Sequence, residues 1–366
     1  MNQVMKKLVL FLFLAFQINM VYGSKPQISF FCELPEKEFI GLFADSALVK
    51  ELAAMKVSLR IGLHDFGPGR TATIRKLNQA GIPVYAWLLL PEEDGYWFNM
   101  RNGKIALKRY EDFRKWTVEN RLKWEGIGLD LEPDINDAKL AMTHPAKLAW
   151  KAYKRLYDNK SVITAKEIYQ KLICIMKADG YLVESYIIPY LFEERDKNTI
   201  SCQNLLGIVD IETDREIPML YTSVLGNPGI IPLYHRANMP VALGSTGGGV
   251  NIEGFEAPSL SWDKLNRDLL LASKLTDEIV IFCLETSVQK GFLNEIKNLD
   301  FNKEAQNISI EIEKQQKING YVRFVLVILD HPFWLTAGVL VIISGIFFGI
   351  YLFGALIVRI LRKKNS

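Results

Sequence analysis

The chain has 366 residues, of which 49% are hydrophobic and 23% charged, a composition that excludes wholesale disorder, collagen and coiled coil. Lysine and arginine number 44 against 41 acidic residues, and no basic stripe is present, so a nucleic-acid binder is excluded. Four cysteines are too few for a disulfide scaffold at this length. The length allows one large domain or two medium ones.

The N-terminus has the order of a secretory signal peptide. Two lysines precede an apolar run at 8–16, and Val21 and Gly23 stand three residues and one residue before the predicted cleavage point. The run is too short to span a bilayer. A short N-terminal core helix is the alternative, and we predict that 1–23 is a signal peptide that is removed on export.

The C-terminus has the pattern of a membrane anchor. No charged residue occurs over 333–358, and a helix of this length rises about 39 Å, enough to cross about 30 Å of hydrocarbon. Trp334 stands at one edge, and four basic residues follow in the tail 359–366. The positive-inside rule predicts a single span with a cytoplasmic tail, so that the preceding domain lies outside the cytoplasm, in the periplasm or extracellular space.

The intervening chain alternates β-branched or aromatic runs with amphipathic helical stretches. We predict a barrel over 24–300 and a juxtamembrane segment over 301–332. The predicted strands cover 27–34, 57–64, 83–90, 126–132, 182–188, 218–223, 240–245 and 278–285. The predicted helices cover 38–55, 71–80, 110–123, 146–176 and 261–275. Eight such repeats predict an α/β fold, a closed (β/α)8 TIM barrel, in preference to an open doubly wound sheet, which usually has a glycine-rich turn after its first strand.

The fourth predicted strand alternates aliphatic and polar residues. Its aliphatic side chains should face the helices, so Asp130 and Glu132 point into the barrel at the C-terminal end of the strand. That end is where barrel enzymes hold their catalytic groups. Two carboxylates spaced by two residues lie about 6–7 Å apart along the backbone, so one pKa should rise and leave a proton donor. The alternative is a structural pair that holds a loop or an arginine such as Arg60.

The stretch 124–132 resembles the strand-4 signature D-G-x-D-x-D-x-E of family 18 glycoside hydrolases, the chitinase-like barrels. The residues that match are Gly126, Asp130 and Glu132, and those that differ are Glu125 and Gly128. The resemblance implies that Glu132 is the general acid. It also implies that Asp130 orients a substrate N-acetyl group, which acts as the internal nucleophile.

A second stretch, Met219-Leu220-Tyr221, is similar to the M-x-Y of strand 6 in that family. The resemblance implies that Tyr221 contacts the N-acetyl group. Thr222 stands where the family usually has Asp, and Glu285 stands where it has Trp at the end of strand 8.

Other candidate site residues stand at predicted strand ends or in aromatic loops. Glu285 has three open roles: a nucleophile or base opposite Glu132, a ligand for a sugar hydroxyl, or a helix cap. Glu33 and His64 end the first two strands and are candidates for substrate binding. Trp87 and Trp97 offer the flat apolar surfaces on which sugar rings pack, although both can instead belong to the core.

Three further features of the sequence lead to predictions. The glycine-rich stretch 244–249 is interpreted as a tight turn that lets backbone approach a ligand, with phosphate binding as the alternative. The acidic stretch 210–216 is interpreted as a solvated face rather than a cation site. The cysteines are free thiols or the pairs Cys32–Cys283 and Cys174–Cys202. No zinc spacing occurs, so neither a metal nor a cofactor is predicted.

These features together predict a membrane-anchored, extracytoplasmic glycoside hydrolase that acts on a polysaccharide or glycoconjugate, with Glu132 as its acid. The expected partners are a carbohydrate and the membrane. A catalytically inactive barrel that binds glycan or scaffolds a membrane assembly is the first alternative. Another reaction class on the same fold is the second, since fold does not fix function.

Overall fold

The structure is a computed structural model, which describes residues 25–250, 252, 258–334, 336–338, 341 and 344. The predicted signal peptide, most of the predicted membrane span and the basic tail lie outside the described residues. Among the helices that the structure does describe, none is long and apolar enough to cross a membrane.

Eight parallel strands form one sheet. The strands are β1 (Gln27–Cys32), β2 (Ser58–Leu63), β3 (Val84–Leu88), β4 (Gly126–Leu131), β5 (Leu182–Ile187), β6 (Arg215–Pro218), β7 (Val241–Gly244) and β8 (Glu278–Phe282). They are hydrogen-bonded in the order β6-β5-β4-β3-β2-β1-β8-β7. A bridge between Met219 and Ala242, with a 2.8 Å bond from Leu220 N to the Ala242 carbonyl, joins the chain after β6 to β7. The sheet therefore closes into the predicted (β/α)8 barrel.

Helices follow the strands and form the outer layer. They are α1 (Glu36–Ala44), α2 (Ser46–Ala54), α3 (Pro68–Gln79), α4 (Gly103–Asn120), α5 (Ile135–Thr143), α6 (Pro145–Arg155), α7 (Asn159–Ala178), α8 (Leu191–Lys197), α9 (Ser201–Leu206), α10 (Thr222–Leu225), α11 (Ile230–Tyr234), α12 (Trp262–Ala272), α13 (Leu284–Gln289), α14 (Phe292–Lys297) and α15 (Ser309–Leu329).

The strand alternation divides the core into two layers. Ile127, Leu129 and Leu131 of β4 are fully buried in the large cluster between the sheet and the helices. A second cluster fills the barrel interior and includes Phe31 of β1 and Trp87 of β3. This division confirms the predicted orientation of β4 and turns its polar residues toward the barrel axis.

Some predicted elements are displaced or divided. The sixth strand, predicted at 218–223, ends at Pro218, because the strand is formed by the charged residues before it and a short helix follows. The predicted helix 38–55 is divided where Asp45 accepts a 2.7 Å bond from Ala47 N and caps α2. The predicted helix 146–176 is divided in the same way by Asp158, which caps α7.

The segment after the barrel is helical and packed. α15 occupies most of 301–332 and lies against α8, α9 and α11. Asn227 donates a 3.0 Å bond to the Glu311 carbonyl, and Arg323 pairs with Glu193 of α8. This segment is therefore part of the described barrel body rather than an extended linker.

A charged layer fills the barrel below its C-terminal end. Arg60 is fully buried, donates bonds of 2.6 and 3.0 Å to Glu184, and donates a third of 3.0 Å to Glu278. Arg215 pairs with the same Glu278. Arg60 therefore does not hold the Asp130–Glu132 pair, which was the structural alternative for those carboxyls.

Candidate active site

A cavity of about 170 Å³ opens at the C-terminal end of the barrel. Its lining combines three carboxyls with a largely aromatic wall. The lining residues include Phe31, Glu33, Trp87, Trp97, Asp130, Glu132, Tyr186, Met219, Tyr221, Gly248, Gly249 and Phe282. The structure thus brings together six of the eight residues predicted from the sequence.

The two β4 carboxyls stand in this cavity as a pair. Asp130 is 2% exposed and Glu132, one residue past the strand, is half-buried. Burial raises the pKa of Glu132 to about 7, although the hydrogen bond with Asp130 lowers it. Burial also raises the pKa of Asp130 well above its ordinary value, and the charge of Glu132 raises it further. The pair can therefore hold a proton near neutral pH.

Glu33 is the third carboxyl of the cavity. It follows β1 directly, and the Tyr96 hydroxyl donates a 2.6 Å bond to its Oε1. Burial raises the pKa of Glu33 to about 8, the Tyr96 bond lowers it, and the charges of Glu285 and Glu132 raise it. Tyr96 reaches this carboxyl from the β3–α4 loop, where its own backbone is left-handed with φ of 63°.

Aromatic rings form the floor and one side of the cavity. The Phe31 ring lies edge-to-face against Trp87 at 5.2 Å and against Tyr186 at 4.7 Å between centroids. Tyr221 and Phe282 lie 5.7 Å apart between ring centroids. Such surfaces suit the apolar face of a sugar ring, because they offer a large area at low conformational entropy.

The glycine-rich turn after β7 closes the cavity from the barrel rim. Gly248 and Gly249 have φ of 76° and 90°, in the left-handed region that favours glycine. A Cβ on Gly248 would lie 2.7 Å from Cys283 Sγ, and one on Gly249 would lie 3.4 Å from Glu33 Oε2. The turn therefore brings bare backbone against the carboxyls.

Two predicted site residues do not line the described cavity. Glu285 is 4% exposed, lies in the first turn of α13 and accepts a 3.3 Å bond from the backbone N–H of Glu33. Burial raises its pKa. His64 lies beside Tyr96, with ring centroids 5.9 Å apart, and burial lowers its pKa to about 4. Both lie beside the groups that position Glu33.

Gly128 is one of the two positions at which the stretch 124–132 differs from the family 18 signature, and its surroundings explain this difference. A Cβ at this position would lie 1.9 Å from the Tyr186 hydroxyl oxygen. That hydroxyl donates a 2.9 Å bond to Glu184, which faces Gly128 in the β4–β5 register. A tyrosine from the next strand therefore occupies the space in which a carboxylate side chain would begin.

Several cavity residues were not predicted. Phe31 shares the inward face of β1 with Glu33, and the same parity argument that was applied to β4 could have found it. Tyr186 is the penultimate residue of β5, and Phe282 is the last residue of β8. Tyr96 is not one of the lining residues, and its bond to Glu33 depends on the fold of a loop, which strand periodicity does not describe.

All four cysteines are free, so neither Cys32–Cys283 nor Cys174–Cys202 is a disulfide. Arg195 pairs with Asp210 and Glu216, which accounts for two carboxylates of the acidic stretch. Among the described residues, no group of three or more His, Cys, Asp or Glu side chains is placed to hold a metal ion.

No family model matches the sequence, and no curated protein matches it. Solved structures that are similar to this chain include a GH18 chitinase from Pseudoalteromonas aurantia, 10% identical over 74% of this chain and 98% of that chain, with a TM-score of 0.42. Another is the PgaB (BpsB) glycoside hydrolase domain from Bordetella bronchiseptica, 8% identical over 75% and 98% of the two chains, with a TM-score of 0.44.

Gas2p of Saccharomyces cerevisiae, in complex with laminaritriose and laminaritetraose, is 11% identical over 79% of this chain and 66% of that chain, with a TM-score of 0.39. Identities this low and TM-scores below 0.5 identify neither a family nor a substrate. The barrel itself follows from the strand order of this chain.

Proposed function

We propose that this chain is a membrane-anchored, extracytoplasmic glycoside hydrolase in which Glu132 is the general acid. The observation that carries the proposal is the carboxyl pair at the end of β4, which stands in an aromatic cavity at the catalytic end of a (β/α)8 barrel. The substrate class is a polysaccharide or glycoconjugate.

Glu132 supplies the proton that the reaction needs. With a pKa of about 7, a large fraction of its carboxyl groups is protonated at neutral pH. Transfer of this proton to the glycosidic oxygen lets the bond to the anomeric carbon break, and the electron pair leaves on that oxygen. Water then supplies the hydroxyl group to the sugar and returns a proton to Glu132. Once Glu132 has given up its proton, the Asp130–Glu132 pair carries a negative charge beside the positive charge that develops on the ring.

The other lining groups hold the sugar. Glu33 faces the cavity and accepts from Tyr96, so it is placed to bind substrate, whereas Glu285 is held behind it. Tyr221 and Trp97 provide apolar surface. Thr222 donates to Asp268 of α12, so the residue after Tyr221 serves the helical layer rather than the cavity.

The proposed membrane anchor is supported by the sequence and by exposed apolar side chains, not by the cavity. The uncharged run 333–358 and the basic tail predict it from the sequence. Large apolar side chains are exposed on the last turns of α15 and just beyond it, which suits a surface close to a bilayer. These residues are Tyr321, Phe324, Val325, Phe333 and Trp334.

The test is hydrolysis of a broad panel of glycans by the full chain beside its Glu132→Gln variant. Loss of a general acid typically lowers the rate by about 10²–10⁴-fold, so the variant should lose turnover and keep sugar binding. Asp130→Asn should also slow the reaction. Glu313→Gln, an exposed substitution on α15, is the matched control and should leave the rate unchanged.

Two results would contradict this proposal. Hydrolysis by Glu132→Gln at the wild-type rate would remove the assigned acid. Binding of glycans without hydrolysis of any would instead support the inactive, glycan-binding barrel.

A further inference from the structure

Among the described residues, the ionisable side chains that line the cavity are acidic, and none is basic. Glu33, Asp130 and Glu132 all line it, and the described lining residues include no lysine, arginine or histidine.

The basic side chains of the surrounding strands and loops are engaged elsewhere. Arg60 is paired with Glu184 and Glu278 below the cavity. Arg70 pairs with Asp65, and Arg109 donates to the carbonyls of Leu63, His64 and Leu89. Lys290 donates to the Thr246 carbonyl at 2.7 Å. Within the described chain, the three carboxyls therefore have no cationic partner in the cavity.

One carboxyl oxygen in this cavity also lacks a hydrogen-bond donor. Asp130 Oδ1 and Trp87 Nε1, which belong to residues lining the same cavity, are both buried without a hydrogen-bond partner among the described residues, so a ligand can donate to the carboxyl and accept from the indole. A buried acceptor without a donor is unfavourable unless a ligand supplies one. Beside it stand the rings of Trp87, Tyr186 and Tyr221, whose faces attract cations. Acceptor and rings together favour a ligand that carries positive charge and N–H donors.

A metal ion does not fit this arrangement. The three cavity carboxyls are not among any group of side chains placed to hold one, within the residues described. Aromatic walls also suit an organic cation better than a hydrated ion. The ligand is therefore an organic cation, large enough to contact both the carboxyls and the aromatic rings.

We propose that the cavity selects a sugar ring that carries a free, protonated amino group over the same ring when it is N-acetylated or neutral. This inference rests on the proposed carbohydrate function and names its substrate class as an amino sugar. The ammonium group donates to Asp130 and its neighbours, while the ring packs on the aromatic wall.

Ligand charge should also change the protonation of the site. Glu33 and Glu132, with pKa values of about 8 and about 7, carry protons at about pH 6. A bound ammonium favours their ionised forms, so binding should release protons. Burial lowers the pKa of His64, beside Tyr96, to about 4, so this imidazole is neutral at about pH 6 and supplies no positive charge. Burial raises the pKa of the other titratable side chains around the two carboxyls, and none of them can be cationic. These side chains are Cys32, Tyr96, Tyr186, Tyr221, Cys283 and Glu285.

The experiment measures binding of three monosaccharides to the full chain at about pH 6, where the amine is protonated. The probes are glucosamine, N-acetylglucosamine and glucose. They have the same pyranose ring, and as monosaccharides they can be used without knowing which glycosidic linkage the protein recognises. Glucosamine should bind about tenfold or more tightly than either of the others. Titration in two buffers of different ionisation enthalpy should detect proton release with glucosamine and none with glucose.

Variants separate the site from the protein surface. Glu33→Gln should reduce both the preference for glucosamine and the proton release, whereas the exposed Glu313→Gln should change neither. Equal or tighter binding of glucose or N-acetylglucosamine, or no binding of glucosamine, overturns the inference. None of these sugars has a glycosidic bond to cleave, so the outcome is independent of whether the chain hydrolyses glycans.

Discussion

The carboxyls that share one cavity make the stability of this protein depend on pH. Glu33 is 7% exposed, and burial raises its pKa to about 8, so the folded chain holds a proton that the unfolded chain has released. Between about pH 4.5 and pH 8 the folded state binds more protons, and the free energy of unfolding therefore falls as pH rises.

This dependence predicts an unusual effect of Glu33→Gln. The amide cannot ionise and can still accept from Tyr96, so the variant should resemble the wild type at about pH 5. At about pH 8 it should be more stable, by on the order of 1–3 kcal/mol, because the wild type must keep a buried acid protonated or bury its charge. Urea unfolding of both chains at the two pH values measures this. A variant less stable than the wild type at pH 8 would contradict the raised pKa.

Gly128 makes a second prediction at single-residue scale. Its Cβ would lie 1.9 Å from the Tyr186 hydroxyl and 2.4 Å from the ring carbon behind it, so Gly128→Ala must displace that ring. We expect a loss of about 1–3 kcal/mol in the free energy of unfolding, together with weaker sugar binding. Gly41→Ala is the matched control, since nothing lies within 4 Å of its Cβ in α1, and it should not destabilise. Equal stability of the two variants would contradict this prediction, because it would mean that the Tyr186 ring moves aside without lowering the free energy of unfolding.

The sequence pattern could predict the orientation of Asp130 and Glu132 but not the reason for Gly128. Alternation along β4 is a local property, and it assigns each side chain to one face of the sheet. The contact with Tyr186 depends on the register between β4 and β5, which no pattern within either strand determines. For the same reason Glu285 could be placed at the correct rim while its hydrogen bond to Glu33 could not be foreseen.

At the scale of elements, β2, β5 and β8 are tied by one buried charge cluster. Arg60 and Glu184 are both fully buried, and Arg60 also reaches Glu278. Burial is the largest single effect on the pKa of Glu278 and raises it. The charges of Arg60 and Arg215 act in the opposite direction, and the pKa is lowered overall. Removing only one partner leaves an uncompensated charge inside the barrel.

Arg60→Met should therefore destabilise the fold by about 3–5 kcal/mol. The double variant Arg60→Met/Glu184→Met removes both charges and should be less destabilised than the single one. Urea midpoints of the wild type and of the single and double variants make the comparison. A double variant as unstable as Arg60→Met would show that lost packing, rather than the unpaired carboxylate, controls stability at this layer.

Element boundaries were hardest to predict where charges replace apolar residues. The strand β6 begins with Arg215 and Glu216, whose charges hide it from a search for hydrophobic runs. Arg215 is paired inside the barrel with Glu278, and Glu216 outside it with Arg195, so tertiary ion pairs make the strand possible. The helix divisions at Asp45 and Asp158 were visible as capping residues, since both types accept from the first turn.

At the scale of the whole molecule, eight alternating repeats were enough to predict a closed barrel. Closure depends on a narrow contact, the bridge between Met219 and Ala242, which no single repeat encodes. The packed helix α15 was not predicted, because its buried face includes polar residues such as Gln315 and Asn319, which bond to each other. A buried helix face that contains polar residues lacks the apolar periodicity from which a helix is predicted.

The proposed anchor leads to a prediction about topology. If 333–358 spans the membrane once and the basic tail stays in the cytoplasm, the barrel lies on the opposite side. Protease added to intact cells or spheroplasts should digest the barrel and leave a C-terminal tag in a short protected fragment. After lysis by detergent the same tag should be digested, which controls for intrinsic resistance. Replacing the four basic residues of the tail with neutral ones should weaken this orientation, because they are the charges that oppose translocation. A barrel that is protected in intact spheroplasts, or a tag digested without lysis, would contradict the assigned orientation and leave the chemistry of the cavity to be judged by the hydrolysis assay alone.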